Sequence, residues 1–156
     1  MRYKTIFMET TKISPSITVG EIQKILGEYG ASAIRMDYED GEVSSVSFTY
    51  KIDEGEPIAF RLPCRWQAIK NILELRRKKS RRGRPPGDIT AQAKRIAWRH
   101  IMRLVEAQMA FIATGQSKIP ELMLGFLLTD REQTLFEKFE SQNWKFQIEH
   151  KKKKED

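Results

Sequence analysis

Ala33-Ile34-Arg35-Met36-Asp37-Tyr38-Glu39-Asp40-Gly41-Glu42-Val43-Ser44-Ser45-Val46-Ser47-Phe48-Thr49-Tyr50 runs polar and apolar residues in alternation on both sides of an Asp-Gly pair. A period of two puts Ile34, Met36 and Tyr38 on one face of a strand, and Val46, Phe48, Tyr50 and Ile52 on one face of the next. Asp-Gly between two such runs is the chemistry of a tight hairpin. A second acidic turn, Asp53-Glu54-Gly55-Glu56, leads to Ile58, Phe60 and Leu62, which alternate again. The stretch predicts a three-stranded antiparallel meander.

Helical signals flank it. Thr18-Val19-Gly20-Glu21 has the form of a capping box, and Ile22, Ile25, Leu26 and Tyr29 follow at helical spacing before Gly30, predicting a helix over 18–30. Thr, Ile, Phe and Met gathered in residues 3–10 predict an extra N-terminal strand. After Pro63, the stripe Trp66, Ile69, Ile72 and Leu73 predicts a helix that runs into a basic segment. Beyond Pro85-Pro86-Gly87, Asp88 or Thr90 can cap a long helix reaching Ala113 and stopping near Gly115. Its expected buried face is Ala93, Ile96, Ala97, Ile101, Leu104, Val105, Gln108 and Ile112, with Trp98 as a packing anchor. Pro120 suits the first turn of a further helix carrying Leu122, Met123, Phe126 and Leu127. Thr129 or Asp130 is the expected cap of a last helix with Leu135, Phe136 and Phe139. The fold class is therefore α+β, a small antiparallel sheet packed with a C-terminal helical layer, in one domain over residues 1–150.

The chain has 156 residues, of which 40% are apolar and 31% charged, enough to bury a core under a polar surface. Its net charge of +7 is concentrated. Arg76, Arg77, Lys78, Lys79, Arg81, Arg82 and Arg84 fill all but two positions of 76–84, and four lysines fill 151–154. The expectation is a mobile basic connector at 76–87 and a disordered basic tail at 151–156. Localised cations of this kind serve a polyanion, since each one placed on a phosphate releases a condensed counterion. On the long helix Arg95, Arg99 and Arg103 recur every four residues with Lys94 adjacent, a face that would extend a groove for nucleic-acid backbone. The hairpin turns gather Asp37, Glu39, Asp40, Glu42, Asp53, Glu54 and Glu56, an end that repels a polyanion and reads first as solvated turns. Phe48, Tyr50 and Phe60 have the residue type of a base-stacking platform, but their alternation with Val46, Ile52, Ile58 and Leu62 makes them core.

No nucleophile–base pair is legible. His100 and His150 are the two histidines and Cys64 the single cysteine, so neither a disulfide nor a cysteine-built zinc site is expected. Cys64 stands just before a helix, a place that can lower a thiol pKa, but no base accompanies it and it reads as a core residue. Neither a glycine-rich phosphate loop nor an apolar run long enough for a membrane span occurs. The reading is a non-enzymatic cytoplasmic protein with no metal or cofactor.

Arg82-Gly83-Arg84-Pro85 resembles the core of the AT-hook, an Arg-Gly-Arg-Pro element flanked by basic residues. Ser80-Arg81 stands where that family often has proline. The resemblance implies an extended Arg-Gly-Arg lying in the narrow minor groove of A·T-rich DNA, with Gly83 letting the backbone approach the groove floor. The helix–strand–strand–strand–helix order of 18–77 is similar in topology to the double-stranded-RNA-binding domain. Here, however, the basic residues lie at the far end of the second helix. Residues 91–128 look like a pattern seen in small uncharacterised phage and prophage proteins, which implies a phage-borne gene and a helix-packed sheet. The favoured function is non-catalytic binding of nucleic acid, DNA over RNA. The alternative is a protein-binding inhibitor or adaptor, such as an antagonist of a host nuclease or defence complex.

Overall fold

The computed structural model describes residues 5–52, 55–79, 87–129 and 133–144. Helix α1 (Pro15–Glu28) leads into strands β1 (Ala33–Glu39), β2 (Glu42–Tyr50) and β3 (Ile58–Pro63). Helices α2 (Trp66–Lys79), α3 (Ile89–Ala113), α4 (Ile119–Met123) and α5 (Leu135–Ser141) follow, with a 3-10 turn at Leu124–Phe126 after α4. Among the described residues the sheet is antiparallel in the order β1-β2-β3. This is the α+β architecture that the patterning predicts.

Cross-strand register explains the core. Ile34 faces Phe48 and Met36 faces Val46 on one side of β2, while Phe48 faces Phe60 and Val46 faces Leu62 on the other. Val46, Phe48, Tyr50, Phe60 and Leu62 are buried, and the Phe48 and Phe60 rings stack with centroids 5.4 Å apart. The register shifts between Asp37 and Tyr38, so that Tyr38 faces Val43 and Ser44 is the extra residue. That bulge lets Val43 and Val46, three apart, both pack toward the core. Tyr38, at the far end of β1, is 59% exposed.

Several local expectations shift. Residues 7–10 form turns, with Glu9 N–H donating to the Ile6 carbonyl and Thr11 N–H to that of Met8, so no strand forms in the described residues 5–10. Helix α1 begins a turn earlier than residue 18: Ser14 Oγ accepts from Ile17 N–H and Pro15 opens the first turn. Thr18 is thereby a buried helix residue and Glu21 is released for another partner. Asp88 caps α3, its carboxylate accepting from the N–H groups of Thr90 and Ala91. The cap of α5 is Thr134, in a full capping box with Glu137.

Helix α3 packs against both α1 and α2. Ala93, Ile96, Ala97, Trp98, Met102, Val105 and Met109 are buried along it, with Ile101 and Ile112 partly buried at the edge of the core. The buried stripe is rotated from the expected one: Met102 and Met109 lie inside, and Leu104 is 39% exposed. Trp98 is among the largest side chains fully enclosed. Trp98→Ala should therefore lower unfolding free energy by about 3–5 kcal/mol, the range for large aromatic truncations, read by urea denaturation. A variant as stable as the parent would show that Trp98 does not anchor α3.

Candidate nucleic-acid interface

The four cations Arg76, Arg77, Lys78 and Lys79 form the last turn of α2, where they complement the negative end of the helix dipole. This half of the expected connector is helix, whereas Ser80 to Pro86, with Arg81, Arg82, Gly83 and Arg84, lies outside the described residues. The tail at 151–156 and His150 lie outside them too.

Arg76 is not a spare charge. Its guanidinium meets both carboxylate oxygens of Glu9, at 3.1 and 3.0 Å. The Glu9 carbonyl in turn accepts from Gln92 Nε2 at 2.7 Å, and the Thr11 carbonyl accepts from the same amide at 3.0 Å. One N-terminal turn thus ties the end of α2 to the first turns of α3. It is further fixed by His100, whose Nε2 donates to the Phe7 carbonyl at 2.6 Å and whose ring stacks on Phe7. Arg77, Lys78 and Lys79 are exposed, and none makes an ion pair among the described residues. Here the chain leaves charge available.

The expected arginine face on α3 is differently built. Arg99 is 4% exposed and its guanidinium is bound to Glu21 of α1, so it is a buried structural cation, not an open phosphate contact. Lys94 pairs with Glu42 and sits over the Trp66 ring, 5.1 Å from its centroid. Arg95 turns back on Gln92 Oε1 at 2.6 and 3.0 Å. Arg103 binds Glu106 one turn on at 2.6 Å. Spacing of four aligned these residues, but α1 and the hairpin supplied acids that spacing alone does not reveal.

The sheet's other face is polar and bears a second cluster that sequence reading missed. Arg35, Asp37, Ser45 and Arg61 border a shallow cleft of about 520 Å³ with Cys64, Trp66 and Gln67. The Ser45 hydroxyl donates to Asp37 Oδ2 at 2.7 Å and Arg35 lies 3.1 Å from the same carboxylate. That hydrogen bond first, then Arg35, holds Asp37 below its ordinary range against the opposing effect of burial. Arg61 donates to Glu137 at 2.7 Å, and Arg65 reaches the other oxygen at 3.5 Å, joining β3 and the start of α2 to α5. Alternation marks these residues as outward-facing but carries no sign that α5 returns to them.

Cys64 is buried, and burial pushes its thiol up to about 12 despite opposing help from the Trp66 backbone and Lys94. It is a core thiol. A thiol-specific reagent should label it slowly in the native protein and stoichiometrically in denaturant; rapid native labelling would contradict the packing. Among the described residues no group of three or more His, Cys, Asp or Glu is placed to hold a metal, and no helix is long and apolar enough to cross a membrane.

No protein-family model, curated protein or solved structure matches the chain. The class that fold and surface define is an α+β domain with a cationic helix end.

Glu137 yields a pH test of the α5 docking. Burial alone would raise its carboxyl, but the Thr134 N–H and hydroxyl and the Arg61 guanidinium outweigh that and hold it below its ordinary 4.5. Its contribution is therefore complete above 4.5 and lost as pH falls through the lower folded value. Glu137→Gln should cost about 1–3 kcal/mol at neutral pH, with the gap to the parent closing in acid. A gap independent of pH, read by thermal melts, would show that charge is not what holds α5.

Proposed function

We propose that this chain is a non-catalytic nucleic-acid-binding accessory protein, of phage type, that grips phosphates through residues 76–84 and prefers DNA to RNA. The observation that carries the reading is the end of α2, whose last three cations make no ion pair among the described residues. Arg77, Lys78 and Lys79 stand exposed on a helix turn whose first cation, Arg76, is locked to Glu9. In sequence they run directly into Arg81, Arg82 and Arg84. On α3, Lys94, Arg99 and Arg103 are matched by Glu42, Glu21 and Glu106, and Arg95 turns to the neutral Gln92, so the densest run of unpaired cations among the described residues is the end of α2. Six such cations release up to about six counterions on duplex DNA, which makes affinity steeply salt-dependent. The Arg82-Gly83-Arg84-Pro85 match supports a more specific version, in which the two arginines enter an A·T-rich minor groove.

Binding to A·T-rich duplex, G·C-rich duplex, single-stranded DNA and RNA at two salt concentrations tests this directly. Replacing Arg77, Lys78, Lys79, Arg81, Arg82 and Arg84 by glutamine should flatten the salt slope, at roughly 0.9 per lost phosphate contact, and leave the melting temperature nearly unchanged. Gly83→Ala keeps every charge but lifts the backbone from the groove floor, so selective loss on A·T-rich duplex supports minor-groove insertion. Equal affinity of the Gly83→Ala variant and the parent, with no A·T preference, leaves phosphate contact alone. Binding to none of the four at low salt overturns the reading and favours a protein partner.

A further inference from the structure

The two edges of the sheet are treated differently. Beside β3, Leu127 bridges to Phe60 and Leu128 N–H donates to the Ala59 carbonyl at 2.8 Å, so that edge is covered. Beside β1, no strand follows among the described residues. Cys64 N–H donates to the Ser44 carbonyl, which fixes the ladder phase. Val46, Phe48 and Tyr50 turn their backbone groups to β3, and Ser45, Ser47 and Thr49 turn theirs to β1. Asp37, Arg35 and Ala33, their partners, are thereby used. The N–H and C=O groups of Ile34, Met36 and Tyr38 are left pointing off the sheet, a template for another strand.

We infer that the occupant of this edge is a second copy of the same strand, joined antiparallel about a two-fold axis at Met36. In β1 only the even-numbered residues turn their backbone groups away from β2, unpaired among the described residues, so Met36 would face the partner's Met36 and Ile34 the partner's Tyr38. Arg35 would then face the partner's Asp37, and Asp37 the partner's Arg35, giving two opposite-charge pairs on the outer face. On the core face, two Ile34–Tyr38 pairs cover a tyrosine that is 59% exposed in the single chain. Sliding two residues in either direction sets Arg35 against the partner's Arg35, or Asp37 against the partner's Asp37. The charges that normally blunt an edge strand are here self-complementary in one register and repulsive in its neighbours. The result is a six-stranded sheet with an isologous interface, and it does not depend on the nucleic-acid reading.

Sedimentation velocity of the full chain from micromolar to millimolar concentration tests it. The parent should form a dimer. Arg35→Asp or Asp37→Arg alone sets like charges opposite one another at both pairs and should weaken dimerisation about tenfold or more, with far-UV circular dichroism unchanged. Mixing the two single variants should restore a heterodimer, because a strand with two acids then faces a strand with two arginines. Recovery on mixing also separates interface loss from misfolding. A parent that stays monomeric overturns the inference and leaves the edge to a strand of another protein. A dimer indifferent to both reversals overturns it as well, since its contact would lie elsewhere.

Discussion

A guanidinium taken out of water must keep its charge, because arginine does not deprotonate, and so it must be given a counterion where it is buried. Arg99 meets that demand in the middle of α3. It is almost wholly enclosed, and the carboxylate it binds comes from Glu21 on α1. Only placements of α1 against α3 that bring Glu21 to Arg99 avoid an uncompensated charge, so the pair restricts how the two helices can slide. Trp98, Met102, Val105 and Met109 of the same helix are buried in the common apolar core. Arg99 Nε and Thr18 Oγ1 find no protein partner there, so the seam draws its stability chiefly from packing while the ion pair selects its register.

The remaining cations divide along similar lines. Long-range pairs, Arg76 with Glu9, Lys94 with Glu42, and Arg61 with Glu137, join elements far apart in sequence. Each is partly exposed and contributes modestly by itself. Their shared consequence is spatial. These pairs neutralise several cations of the body, and Glu9 and Gln92 pin the end of α2 against the start of α3. Positive charge is thereby densest at the end of α2 and, in sequence, in the adjoining 81–84 and the lysines at 151–154, a localised distribution of the kind that steers a polyanion.

Elements set by local chemistry were legible in the sequence. Period-two alternation and the Asp-Gly turn specify the meander, and Asp88 with Gly115 brackets α3 almost to the residue. Local signals failed where two of them competed. Ser14-Pro15 outweighed Thr18–Glu21 as a helix start because proline supplies both the fixed φ and a dispensable N–H. The β-prone residues 7–10 form turns held locally by the Ile6 N–H on the Glu9 carboxylate and at long range by His100 of α3 on the Phe7 carbonyl, and the second contact has no local signal. In the candidate site, Arg76 to Lys79 were recognisable as a basic block, but the sorting of Arg76 from Arg77 was not. Nor was the withdrawal of Arg99. Both depend on acids 67 and 78 residues away in sequence.

Arg35 and Asp37 already pair within β1, with Arg35 well exposed, so exchanging that contact for its equivalent across a two-fold axis changes little in electrostatics by itself. What favours association is the backbone: three residues with outward N–H and C=O groups gain partners, and Tyr38 gains cover. The side chains act mainly as a filter on register. Division of labour between an unselective backbone and a selective charge pattern parallels the α1–α3 seam, where apolar packing supplies the energy and a single ion pair chooses the alignment. A two-fold assembly would also carry two cationic segments on one particle. Affinity for a long polyanion would then rise through effective concentration without any additional contact per chain.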